Sequence, residues 1–368
     1  MIGLVGGHGA VGRHTIRFLA LHGAGPLRIG GRNLDRVRDV VAMTLRGTGT
    51  EAQTVRVDAG DAASLAAFAR GCDVVVHCAG PSRRTSPAVV RAALAAGAQA
   101  VDAGGGSRAD PLTTDVGERT VLYDAGALPG LSGLLPRALA VEHFDTVRRL
   151  TTYAGALDRF TATGADDYLD GVLGPSSEPF AAWLGGARRT DALGTLKDLG
   201  LPYFPRPLTA HPYLDTEAER LAEDLSLSEG VWYSVVDGEQ TAAVLASARA
   251  LDRDGAVRAL CRATALDSAG RTPYLTLLVQ ADGVRAGRSR TRTAVLRAPG
   301  VSSLTGAVAG VAALAVLRGQ APPGVHPAAT ALAADAALAL LTADPAVCRV
   351  DVHDAAVADL ATVEEGVL

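Results

Sequence analysis

The stretch Val5-Gly6-Gly7-His8-Gly9-Ala10-Val11-Gly12 decides how this chain is read. A short β-branched run, Gly3 to Val5, precedes it and an amphipathic run, Val11 to Leu21, comes after, so its glycines fall where a strand gives way to a helix. Gly7, Gly9 and Gly12 satisfy the spacing G-x-G-x-x-G. At such a turn one glycine permits the bend, one lets the backbone approach a pyrophosphate, and one allows the helix to pack closely on the strand. The helix N-terminus meanwhile turns its N–H groups and positive dipole end to the anion. Gly7, His8, Gly9, Ala10, Val11 and Gly12 are therefore expected to line a dinucleotide site. The competing reading of the same residues is a glycine-rich turn with no ligand.

The pattern of the next hundred residues favours the ligand. Apolar runs at Leu27 to Gly30, Thr54 to Val57, Asp73 to His77, Ala98 to Val101 and Thr120 to Tyr123 alternate with helical stretches at Asn33 to Thr44, Ala62 to Ala69, Pro87 to Ala96 and Thr113 to Glu118. This is the alternation of an α/β Rossmann fold, a doubly wound parallel sheet covered by helices on both faces. The texture changes after Gly126 to Gly130, where Leu131 to Val141 reads as a connecting helix. We expect a Rossmann domain over residues 1–130, an α+β substrate domain over 131–300 and a C-terminal segment, 301–368, packing back on the first domain.

In the second region we expect a strand at Leu150 to Ala154, helices near Asp166 to Leu173 and Phe180 to Leu184, a proline-rich loop from Leu201 to Tyr213, and a strand at Val231 to Val236. A helix at Gln240 to Leu251 and a hairpin of Tyr274 to Gly283 with Gly287 to Leu296 come next. The tail offers helices at Thr305 to Leu317 and Ala328 to Leu341, separated by the proline-flanked Pro322 to Pro327, and a strand near Cys348 to Val352.

Length and composition bound the rest. At 368 residues, with 48% hydrophobic and 20% charged residues, the chain can fill two domain cores, and a net charge of −4 without charged runs gives no basis for nucleic acid as a partner. The four cysteines, Cys72, Cys78, Cys261 and Cys348, lack CxxC spacing or a neighbouring histidine at ligand intervals, so neither a metal site nor a disulfide framework is expected. The apolar stretches of the tail are too short to span a bilayer, and the opening strand leaves no room for a signal core ahead of it. No membrane partner and a cytoplasmic location are the expectations. A homodimer would be ordinary for such a protein.

The end of the second strand decides which dinucleotide is expected. NAD-preferring folds place a carboxylate there to bind the ribose 2′-hydroxyl, but here the residues are Gly30-Gly31-Arg32-Asn33. A carboxylate would repel a 2′-phosphate, whereas the guanidinium of Arg32 offers it a fork, with Asn33 beside it. NADPH is therefore the expected cofactor. Asp58, after the third strand, is placed to accept from the adenine amino group or to cap a helix. Cys78, Ala79, Gly80 and Pro81, closing the fourth strand, and Gly104, after the fifth, lie at the same sheet edge, where small residues let backbone lie against ribose and nicotinamide. Cys78 as a nucleophile has no evident base and reads as a small buried hydrophobe.

Taken together, GGHGAVG (6–12), GGRN (30–33), DVVVHCAGP (73–81), AVDAGG (100–105), AGALPGLSGLLPRALA (125–140), LTG (304–306) and PPGVHP (322–327) resemble the saccharopine dehydrogenase, or saccharopine reductase-like, family. The resemblance covers residues 1–140 and returns around 270–330. It implies a Rossmann domain with an α/β substrate domain and hydride transfer to a C=N bond. Thiazolinyl imine reductases of siderophore pathways, similar to the same family, imply a small-molecule imine, in some cases tethered to a carrier protein, as substrate. Enzymes of saccharopine itself must hold several carboxylates. Arg159, Arg188, Arg189, Arg206 and Arg220 are scattered here rather than grouped, which favours a less charged imine. Opine-type or carbonyl reduction, and cofactor sensing without turnover, remain the competing readings.

Imine reduction needs one general acid besides the hydride. Tyr168, in Gly164-Ala165-Asp166-Asp167-Tyr168 at an expected helix start, is the first candidate, because a neutral phenol donates at pH 7. Asp167 would orient it or act in its place. The other reading of these residues is an N-cap followed by a packed aromatic. His211, expected in the proline-rich loop, is the second candidate.

Overall fold

The computed structural model describes residues 1–104 and 116–360. They divide into one unit of Met1–Leu134 with Ser302–Val347 and a second of Leu135–Val301 with the segment from Cys348 onward. Gly105 and the start of the helix expected from Thr113 lie outside the described residues.

The first unit runs β1 (Ile2–Val5), α1 (Ala10–Leu21), β2 (Leu27–Gly31), α2 (Leu34–Thr44), β3 (Ala52–Arg56), α3 (Ala62–Ala69), β4 (Val74–His77), α4 (Ser82–Ala95), β5 (Gln99–Asp102) and β6 (Thr120–Tyr123). Helix α5 (Leu131–His143) leads into the second unit, which runs β7 (Thr146–Leu157), α6 (Ala162–Leu173), β8 (Ser177–Pro179), β9 (Ala182–Leu184), β10 (Arg188–Arg189), β11 (Leu196–Leu199) and β12 (Leu208–Asp215). It continues with α7 (Thr216–Asp224), β13 (Glu229–Val236), α8 (Glu239–Ser247), α9 (Arg253–Asp267), β14 (Tyr274–Arg285) and β15 (Arg288–Ala298). The chain returns to the first unit through α10 (Val301–Leu317), β16 (Gly324–Pro327), α11 (Ala328–Ala331) and α12 (Ala334–Thr342), and β17 (Arg349–His353) joins the second sheet.

The first sheet is parallel throughout, in the order β16-β6-β5-β4-β1-β2-β3. Strand order reverses between β1 and β4, which opens a crevice at the carboxyl ends of those strands. One face packs under α3 and α4, where Phe68, Leu65, Val90 and Leu94 meet Val5, Val75, Ala100 and Val121. Against α1 lies α10, which is buried almost all round. Its composition, VSSLTGAVAGVAALAVL, accounts for this, since an apolar helix with no polar stripe has no face for water.

Strand β16 is where sequence reading misses an element of this sheet. Sequence reading assigns no element to the proline-flanked Pro322 to Pro327, since proline cannot donate to a ladder, yet β16 sits at the sheet edge, paired with β6 on one side. An edge strand needs partners on one side, so its terminal Pro327 is tolerated.

The second sheet is mixed, with β13 and β7 parallel at its centre, β14 and β15 as the hairpin, and β12 antiparallel on β13. Two corrections concern this unit. Phe180 to Leu184 contains the strand β9 rather than a helix, and His211 sits within the strand β12 rather than in a loop. Its partner β13 satisfies the backbone through a strand whose sequence includes Pro212. Helices α7 and α9 escape a search for apolar runs because they are rich in charge. Each is started by a carboxylate cap, Asp215 accepting from the Ala218 N–H and Asp252 from the Gly255 N–H.

Candidate functional site

At the β1–α1 turn the glycine pattern is a spatial necessity. Gly6 has φ +88°, and a Cβ on it would come within 2.6 Å of the Ala79 nitrogen, so this turn and the one after β4 touch backbone to backbone. A Cβ on Gly12 would run into the Gly6 carbonyl. The Gly9 N–H donates to that carbonyl at 3.0 Å. Gly9 is the N-cap of α1 and brings no side chain to it, so the first N–H groups of the helix, on Ala10, Val11 and Gly12, face outward for an external acceptor. Gly7 pairs by its N–H with the Gly30 carbonyl, tying the turn to β2. A cradle of this kind fits a pyrophosphate.

Beside the cradle stands a cationic corner. Arg32 and Arg36 are exposed, and neither guanidinium has a partner in the chain among the described residues. The His8 imidazole packs against Gly31, where any side chain would collide with it, and its Nδ1 is buried without a hydrogen-bond partner. Burial first, then the charges of Arg36 and Arg32, holds His8 below its ordinary pKa. Two guanidinium groups, and an imidazole whose protonation they oppose, around an unpartnered atom suit an incoming anion. Asn33 is engaged elsewhere, capping α2 by accepting from the Arg36 N–H at 3.0 Å. Arg36 escaped sequence reading, although it stands four residues after Arg32 on the turn entering α2.

Asp58 lies just beyond β3 at the same edge. Its carboxylate accepts from the Gly60 N–H at 2.9 Å, and the capping role considered for it belongs to Asp61, which accepts from Ala63 and Ser64 at the start of α3. On the other side of the crevice the Cys78 N–H donates to the Val5 carbonyl, and its sulfur lies 3.5 Å from Thr15 Oγ1. Burial pushes the Cys78 thiol up to about 12, so it stays protonated and is a poor nucleophile. Ala79, Gly80 and Pro81 continue into α4. The Gly104 N–H is held by Asp102 at 2.9 Å.

Two of the catalytic candidates lie in the second unit, with Ser234, which sequence reading missed, near Tyr168 and opposite His211 across the sheet. Tyr168 lies inside α6 rather than at its start, since Thr161 caps the helix by accepting from the Gly164 N–H. Burial raises the Tyr168 pKa above that of an ordinary phenol, an effect that nearby Ser234 offsets in part, and its ring packs against Phe160 with centroids 5.0 Å apart. Ser234 is in turn the cross-strand partner of His211, so the two side chains share one face of the sheet. Half-burial lowers the His211 pKa, and its Nδ1 lies 3.4 Å from Thr195 Oγ1. Asp167 follows Asp166, which is ion-paired with Arg253. Ser234 carries no sequence signal of its own, because only the β12–β13 register places it.

Known proteins bear out the cofactor. Residues 2–122 match the family model of the saccharopine dehydrogenase NADP binding domain. Fold and match together define an NADP-dependent oxidoreductase, with NADP(H) as its cofactor. Among solved structures, apo saccharopine dehydrogenase (L-Glu forming) from Saccharomyces cerevisiae superposes over 96% of this chain and 99% of its own, with TM-score 0.65 and 15% identity, so the fold is what the two share. Shorter similarities are to a short-chain type dehydrogenase/reductase from Mycobacterium ulcerans (TM-score 0.25, 20% identity, 27% of this chain and 49% of that one) and to an alcohol dehydrogenase from Thermococcus sibiricus (0.23, 19%, 29% and 59%). No curated protein sequence matches the chain. Among the described residues no helix is long and apolar enough to cross a membrane, and no cluster of His, Cys, Asp or Glu could hold a metal ion.

Proposed function

We propose that the protein reduces a C=N bond of a small, weakly charged molecule, such as a cyclic imine of the thiazoline type, using NADPH. The observation that carries this reading is the placement of Tyr168, a phenol held in its protonated form by burial, near Ser234, which stands opposite His211 across the β12–β13 pair. Reduction of an imine takes a hydride at carbon and a proton at nitrogen. When bound, NADPH supplies the hydride. The proton is assigned to the Tyr168 hydroxyl, with Ser234 orienting it and His211 replenishing it from solvent.

The pairing of Arg188, Arg206 and Arg159 supports a weakly charged substrate. Arg188 is paired with Glu178 at 2.8 Å and with Glu219, Arg206 is paired with Asp237 at 2.7 Å, and the Arg159 Nε donates to Ser268. Cations committed in this way are poor receptors for a substrate bearing several carboxylates. The domain match keeps one alternative in view, reduction of the imine that an amino acid forms with a 2-oxo acid.

The test is consumption of NADPH in the presence of cyclic imines, of amino acid and 2-oxo acid pairs, and of simple ketones. Turnover with cyclic imines alone supports the reading, and turnover only with the pairs or ketones overturns it. Tyr168→Phe is expected to lower kcat with the cyclic imine by about 10²–10⁴-fold while NADPH affinity stays within about twofold. An unchanged kcat removes Tyr168 from the mechanism.

A further inference from the structure

The crevice at the β1/β4 reversal has two sides, and the glycine cradle with its cations accounts for one of them. On the β1–β2 side stand the cradle, Arg32 and Arg36, suited to the adenosine phosphates. On the β4–β5 side the backbone turns carry few polar side chains of their own, and behind them lies a buried network that the mechanism does not use.

His77, the last residue of β4, is 1% exposed, and Asp102, the last residue of β5, is 2% exposed. Their side chains meet at 2.9 Å through His77 Nδ1. On the other edge of the ring, Nε2 lies 3.0 Å from Thr85 Oγ1 in the first turn of α4. Thr85 Oγ1 is also within 3.3 Å of the Ala79 carbonyl and 3.1 Å of the Pro81 carbonyl, and Asp102 Oδ1 accepts from the Gly104 N–H at 2.9 Å. One imidazole therefore ties two strand ends to the helix start. Through Thr85 and Asp102 it reaches both backbone turns, Ala79 to Pro81 and Ala103 to Gly104. Asp102 as a carboxylate only accepts, so Nδ1 carries a proton. Ser86 Oγ, at 3.4 Å from the same nitrogen, closes the ring of polar neighbours.

We propose that His77, Asp102 and Thr85 are positioning residues for the nicotinamide half of the cofactor, fixing the two turns against which that half lies. The inference rests on the assignment of this unit as the NADP(H) domain. Two strand ends have no reason of their own to hold a buried histidine and aspartate in line with a helix threonine, since apolar residues would pack the position with no polar groups to satisfy. What the network adds is a single register between the turns after β4 and β5. The second half of a doubly wound sheet receives the second mononucleotide there, and in this chain the phosphate-reading arginines occupy the first half.

The experiment compares NADPH with 2′,5′-ADP, which has the adenosine end and no nicotinamide, on the full chain by calorimetry, and follows the fluorescence of bound NADPH. In Thr85→Val, which keeps the size and removes only the hydroxyl, 2′,5′-ADP affinity is expected to stay within about twofold of wild type. The extra affinity of NADPH over 2′,5′-ADP should fall about tenfold, with a change in nicotinamide emission, and Thr85→Ser should restore both. Asp102→Asn provides a second variant should Thr85→Val fail to fold. Equal losses for both ligands, or no loss for either, would overturn the proposal and leave the network a purely structural one. Wild-type protein binding neither ligand would overturn the cofactor assignment itself, a failure that the variants play no part in detecting.

Discussion

Arg32 and Arg36 offer an incoming anion two guanidinium groups without a partner among the described residues, and such contacts are separable from folding. Arg32→Ala is expected to weaken NADPH binding about 10- to 100-fold and to leave NADH binding nearly unchanged, because a charge-assisted contact to phosphate contributes roughly 1.5–3 kcal/mol. Fluorescence titration with both nucleotides checks it, and equal weakening of both would mean that Arg32 does not read the 2′-phosphate. His8 adds a dependence on pH. Its folded pKa is lowered by burial and by the two arginines, so in the free protein it is neutral near pH 7. A bound phosphate would favour its protonated form, so NADPH affinity should rise as pH falls from about 7 towards 6, and His8→Gln should remove that part of the trend. Arg32 was legible in the sequence, because it occupies a place that charge alone decides. Arg36 and Ser234 were not, since the first matters through the geometry of a helix entry and the second through cross-strand register.

Elements were legible wherever periodicity and glycine placement agreed, as in β1 through α3, and illegible where a tertiary neighbour supplied what the local sequence lacked. Strand β16 depends on β6, and β12 depends on β13 for the partners that make a strand of a proline-containing run. Helix α10 shows the converse dependence. A Cβ on Gly306 would come within 2.6 Å of the Val11 carbonyl, and one on Gly310 would meet the ring of Phe18 at 2.5 Å, so α1 and α10 touch through these two glycines. Gly306→Val is therefore expected to lower stability by about 1–3 kcal/mol despite valine's better helix propensity, as read from the denaturation midpoint. An unchanged midpoint would mean that α1 and α10 separate at little cost, contrary to the packing.

For the molecule as a whole, the acid limb of stability should be set in part by one buried carboxylate in the second unit. Asp237 follows β13 with its side chain fully buried and is held by Arg206, Arg271 and Tyr274, the last at 2.8 Å. Burial alone would raise its pKa, and the hydrogen bonds from Arg271, Tyr274 and Arg206 outweigh burial and hold it below the usual carboxylate range. A depressed folded pKa contributes stability that is complete above the unfolded value, about 3.9, and is lost as pH falls through the folded value. Asp237→Asn should cost roughly 1–3 kcal/mol at pH 7 and lose less than wild type does below pH 4, as followed by urea denaturation at both pH values. From its sequence alone the chain is committed to a parallel, dinucleotide-binding sheet with a cationic corner beside its glycine turn, because strand–glycine–helix spacing and the sign of a charge are local properties. Only the tertiary structure brings Ser234 near Tyr168 and opposite His211, lines up His77 with Asp102 and Thr85, and pairs Arg188 and Arg206 with acidic partners. Those pairings link residues of different elements, and hydrogen-bond geometry and burial exist only once the strands have chosen their neighbours.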